Sequence, residues 1–248
     1  MRTPALRQML LVVLAGLAGP GCAKEDMLMH KVDVHEVFAD DRVAELAAAV
    51  TDGDSEEIRR LASVASVDAT GNDDVTLMQW AVLNGSLSGL DALLQAGADP
   101  TRFGIDGYTV LHTAAMVKDP RYLNLLLDRG VPANVPNQDG QTPLFIAIAS
   151  RRDDQYRALL AAGAKINTTD NVGDTPLHKA ALVNDFGRVR ELLEAGADPR
   201  AINAQKATFQ DYLFMSNPRF LNEQALQNKK AIRAWLKEHG VQVTDSHQ

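Results

Sequence analysis

The sequence predicts an all-α solenoid: about six stacked helix-turn-helix units joined by hairpin-like loops, counting a cap at each end. Three observations carry this. The phrase Gly173-Asp174-Thr175-Pro176-Leu177-His178-Lys179-Ala180-Ala181 returns at 140–148, at 107–115 and, in degraded form, at 74–82. The threonines of these copies stand at 76, 109, 142 and 175, a constant step of 33, and one more step reaches Thr208. Each period also holds two apolar stripes of helical spacing, such as Leu177, Ala180 and Ala181 followed by Val189, Leu192 and Leu193. Neither stripe can cover itself, so the units must stack.

Local chemistry places the helix ends. Thr175 is an N-cap whose hydroxyl accepts from an orphan amide of the first turn, and Pro176 has no amide to satisfy at the first helical position. Ala180 and Ala181 are small enough to let a neighbouring helix approach closely. Gly196 supplies the left-handed residue that stops the second helix.

A 33-residue period bearing Thr-Pro-Leu-His-x-Ala-Ala resembles the ankyrin repeat. Taken in order, the chain opens with Arg2 and Arg7 before an uncharged run from Met9 to Ala18, which reads as a signal peptide over 1–21, too short to span a bilayer comfortably. Cys22, the single cysteine, follows Gly19-Pro20-Gly21 and sits where a bacterial lipoprotein signal puts its lipidated residue. Lipidation there would anchor the chain to a membrane; plain cleavage would leave a free thiol. Residues 22–39 are the anchor and a leader, either a tether or a short capping segment. Residues 40–69 form an N-terminal capping repeat with a helix pair broken at Asp52-Gly53-Asp54. Four repeats occupy 70–201, and the first two have Leu77 and Val110 in place of the motif proline. A C-terminal capping repeat spans 202–242 with an insertion at 215–228, expected to form a turn and a short helix that either lids the last repeat or meets a partner. A tail, 243–248, closes the chain.

Chemistry is excluded more readily than it is found. No nucleophile arrangement, glycine-rich phosphate loop or metal-ligand cluster stands in the sequence, so no catalytic residue, cofactor or metal is expected. His30 and His35 are five apart and do not share a helical face. His112 and His178 occupy the motif position where, by the resemblance, histidine bonds the backbone of a neighbouring loop. Trp80 follows that position and is expected in the core. The formal charge is −7, and loss of Arg2 and Arg7 with the signal takes the remainder to −9. A nucleic-acid partner is therefore not expected, whereas a basic protein surface is.

The resemblance implies a concave protein-binding face. Its usual contact positions map onto Leu83 and Asn84; Ile105, Tyr108, Met116 and Val117; Gln138, Gln141, Ala149 and Ser150; and Val172, Asp174, Leu182 and Val183. Several are apolar where a solvated helix end would carry Lys, Glu or Gln, and exposed apolar residues gathered on one face mark a binding site unless the leader or the insertion covers them. The pairs Met116-Val117 and Leu182-Val183 repeat at two repeat lengths and are expected to face water together. The resulting expectation is a non-enzymatic ankyrin lipoprotein of the bacterial periplasm, on the outer membrane through Cys22. It would bind and neutralise a partner such as an antibacterial secreted effector, for instance a lipase toxin. The alternative is a periplasmic scaffold supporting an envelope or stress-defence enzyme.

Overall fold

A computed structural model describes residues 33–215, 219 and 221–244. The signal peptide, Cys22, His30, most of the leader and the end of the tail lie outside the described residues, as do 216–218 and 220 of the insertion. The chain divides into two compact units, one ending at Gln138 and the other beginning at Asp139.

The first unit holds α1 (Val34–Val37), α2 (Asp41–Asp52), α3 (Ser55–Leu61), α4 (Leu77–Leu83), α5 (Leu87–Gln95), α6 (Val110–Met116) and α7 (Arg121–Asp128). Each start has a chemical cause. Asp40 accepts from the amides of Arg42 and Val43, and Asp54 from those of Glu56 and Glu57, each such cap contributing about 1 kcal/mol. Between them Gly53 adopts φ 72°, and its amide closes on Val50. The described end of the leader is part of the packing: Phe38 is buried edge-to-face against Trp80, and the Asn72 side chain donates to the Glu36 carbonyl. Trp80 lies in the core, its indole N–H donating to Thr51 Oγ1 at 2.9 Å. Absence of the motif proline does not stop α4, because Thr76 and Gln79 cap each other reciprocally.

The second unit holds α8 (Pro143–Ala149), α9 (Asp153–Ala161), α10 (Pro176–Leu182), α11 (Phe186–Glu194), α12 (Phe209–Met215) and α13 (Glu223–Glu238). The inner helices α8, α10 and α12 pack in succession where α10 meets both others, and α13 packs on α11. Arg188 on α11 is buried with its guanidinium 3.6 Å over the Tyr156 ring on α9, and it pairs with Asp153 and Glu191. Burial raises the Tyr156 phenol above its ordinary pKa, partly offset by the Arg188 charge. The insertion departs from expectation. Its second half is no separate short helix but the first turns of α13, opened by Asn222, whose side chain accepts from the Ala225 amide. Residues from 223 to 238 therefore extend the outer helix, because Ala225, Ile232 and Leu236 keep one helical phase across the boundary.

Between α-helical pairs the chain makes short hairpins, four of which close at the same place. The amides of Gly71, Gly104, Asp170 and Asn203 donate to the carbonyls of Val75, Tyr108, Asp174 and Ala207 at 2.8 to 3.0 Å. Neighbouring hairpins are linked by backbone in turn: Gln138 to Gly107 in the first unit, Asn171 to Asp139 and Ala204 to Val172 in the second.

Candidate protein-binding face

Motif positions that tempt a catalytic reading are struts. His178 is buried, and the Thr175 amide donates to its Nδ1 at 3.2 Å, so Nε2 carries the proton and donates to the Ala207 carbonyl at 3.1 Å. Gln79 does the same in the first unit: its Nε2 donates to the Tyr108 carbonyl at 3.1 Å while its Oε1 accepts from the Ile105 amide at 3.0 Å. Both struts reach 29 residues onward, from an inner helix to the next hairpin. His112 is fully buried, with Nδ1 2.8 Å from the Thr109 hydroxyl and its ring stacked on Tyr108. Asp211 takes the position in α12, accepting from the amide and hydroxyl of Thr208.

Around these struts the expected contact positions separate into buried and accessible sets. In the first unit, Met116 is only 4% and Val117 only 9% exposed, and Ile105 is buried as well. This corrects the expectation that Met116 and Val117 face water. All seven residues of α6 are buried, and the turn after it differs from its counterparts. Gly85, Arg151 and Asn184 adopt φ between 52° and 79° and let the next amide bond back to Ala81, Ala147 and Ala180. Lys118, at the same position, is not left-handed, and Val117 is already extended at ψ 159°. This turn also carries Pro120, where the other three have Leu87, Asp153 and Phe186. Leu83 and Asn84 are half-buried, the latter donating to the Trp80 carbonyl, and Tyr108 is half-buried against His112. Gln138 is exposed.

In the second unit Ser150 is buried, a second correction: it stays packed at the end of α8, where its amide bonds the Ile146 carbonyl. Gln141 and Asp174 are half-buried and engaged with neighbouring hairpins, Gln141 with Asp170 and Asp174 with Asn203 at 2.7 Å. Asp174 is thus more than a solvated loop carboxylate. Ala149 and Val183 are half-buried, and the Val183 carbonyl accepts from Arg151. Val172 and Leu182 are exposed, Leu182 by 49%. Met215 is absent from the expected set, yet it is 71% exposed. It stands 33 residues after Leu182, at the corresponding end of α12, and α10 and α12 pack together. The 33-residue step alone finds it; assigning 215 to the insertion conceals it. Ile202, exposed on the hairpin before α12, is missed by sequence reasoning as well.

Comparison with known proteins agrees with this geometry. A family model described as ankyrin repeats (3 copies) matches residues 111–203. Protein PhlB of Serratia liquefaciens is 42% identical over 124 residues, which cover 49% of this chain and 51% of that protein, so the chain spans about half the length of this curated relative. The crystal structure of the ankyrin repeat domain of Bcl-3, described as a unique member of the IkappaB protein family, superposes with a TM-score of 0.66 at 25% identity, covering 82% of this chain and 90% of that one. The recurring hairpins, the seven-residue inner helices and the struts between them accordingly make an ankyrin-repeat fold, and residues 111–203 match the repeats in sequence as well.

Proposed function

We propose that the chain is a non-enzymatic binding protein of the bacterial periplasm, held at the outer membrane by lipid on Cys22. It binds and occludes a partner protein such as an antibacterial secreted effector, for instance a lipase toxin. Ankyrin repeats are protein-interaction modules, and neutralisation of an effector requires only tight occlusion where the effector acts. The observation that carries the reading is the pair Leu182 and Met215, two large apolar side chains left in water at matching ends of packed helices. Burying such a side chain contributes about 1.5 to 3 kcal/mol. Val172 and Ile202 add exposed apolar surface to the same unit.

The test is capture from a periplasmic extract with the wild-type chain and with Leu182→Asp/Met215→Asp. The double variant should keep its circular dichroism and bind the captured protein at least about tenfold more weakly. Equal binding would remove this face from consideration. Anchoring is checked separately: membrane-extracted protein should begin at a lipid-modified Cys22 by intact mass, and Cys22→Ser should release the chain to the soluble fraction. An unmodified Cys22 or cleavage elsewhere would exclude the anchor without touching the binding face.

A further inference from the structure

The last described helix carries a stripe that repeat packing does not use. α13 packs on α11 and buries Ile232 and Leu236. Leu226, Lys230, Arg233 and Lys237 follow one another at steps of four, three and four, the spacing that puts side chains on one face of a helix. All four are exposed, Leu226 by 40%. Lys229 behaves differently: it is half-buried with its ammonium 5.4 Å from the Phe186 ring centre, and burial, with the nearby Arg233 charge, lowers its pKa. Lys229 therefore seats the helix, while Lys230 and Lys237 form no salt bridge among the described residues. Glu223 opens the same face and accepts from the Gln227 side chain, but the three cations three and four positions apart still repel one another, so the stripe is most stable against something anionic.

We propose that this stripe docks on an anionic lipid bilayer, with Lys230, Arg233 and Lys237 at headgroup phosphates and Leu226 entering the interface. The stripe is a row about 16 Å long on a convex helix, and a plane of phosphates meets all three cations at once. Basic side chains on a helix attract anionic headgroups, and a leucine exposed beside them adds apolar contact. Charge elsewhere selects this contact. Residues 33–138 contain seventeen acidic and seven basic side chains, so an anionic surface repels that part of the chain and attracts α13. The proposal stands apart from the partner-binding face and does not depend on it.

Sedimentation of the full-length chain with vesicles tests it. At low salt the chain should bind vesicles containing phosphatidylglycerol about tenfold more tightly than vesicles of phosphatidylcholine alone, and high salt should remove the difference. Lys230→Glu/Arg233→Glu/Lys237→Glu should weaken that binding by about tenfold or more, whereas Lys230→Arg/Lys237→Arg should retain it. Arg42→Glu/Arg59→Glu, a charge reversal in the first unit, should leave it unchanged. Circular dichroism checks the fold, and the corresponding triple Gln variant replaces the Glu one if reversal unfolds α13. Equal binding to both vesicle types, or unaltered binding by the triple variant, overturns the proposal. So does a triple variant that changes only the self-association of the protein without vesicles, which would make a second copy's acidic surface the occupant.

Discussion

Thr142 and Thr175 open equivalent helices with opposite chemistry at their hydroxyls. Thr175 Oγ1 lies 2.8 Å from His178 Nδ1 and also accepts from the His178 amide, whereas Thr142 Oγ1 is buried without a hydrogen-bond partner, because Phe145 stands where His178 does. A buried hydroxyl left unpaired costs roughly 1 to 3 kcal/mol. Thr175→Val should therefore lower stability by about 1 to 2 kcal/mol, while Thr142→Val should be neutral or stabilising. Urea denaturation of both variants checks the contrast, and an equal loss in the two would show that the cap and not its partner matters. His178→Ala should cost about 1 to 2 kcal/mol for the bond to the Ala207 carbonyl. Because that bond is structural, no chemical activity should disappear with it, and an unchanged melting curve would contradict the strut.

At the scale of the helix pair, the turn decides which side chains reach water. Gly85 has φ 79°, and a Cβ added to it would come no closer to its surroundings than 3.8 Å, at the Tyr122 hydroxyl. An added methyl thus meets open space but a left-handed backbone. Gly85→Ala should accordingly cost about 1 kcal/mol, whereas Lys118→Ala, outside the left-handed region, should stay within about 0.5 kcal/mol. Thermal unfolding of the two variants measures this, and equal losses would deny the difference between the turns. The same comparison shows what a sequence discloses. Helix starts are legible because Thr, Pro and their partners act within four residues, and the repeat step makes the fold legible from phase alone. Burial of Met116 is not, because the motif treats Val117 and Val183 as equivalent while their backbones differ, ψ 159° against ψ 8°. Met215 is hidden for another reason: an insertion beginning at 215 starts one residue too early, over the end of an intact inner helix.

Across the whole molecule, stability is distributed and charge is not. Stacked units exchange most of their energy with immediate neighbours. Leu193→Ala, which deletes a fully packed side chain of α11, should cost about 2 to 5 kcal/mol and speed amide exchange in α10, α11 and α13 far more than in α2. Uniform acceleration throughout the chain would mean that it opens as one block. The excess of carboxylates over 33–138 adds a salt dependence: exchange in α2 and α3 should slow as ionic strength screens their repulsion. The struts of Gln79 and His178 have a consequence for how such a chain can change length. Each joins a side chain to a backbone carbonyl 29 residues on, so an insertion or deletion within that span keeps the bond only if a surface turn absorbs it. Whole periods can be duplicated or excised without disturbing the measure, and the extra residues of this chain lie past the later strut, between α12 and α13. Lengthening by complete repeats and ornamenting beyond the later strut are thus edits that the architecture leaves open to evolution and to the engineer.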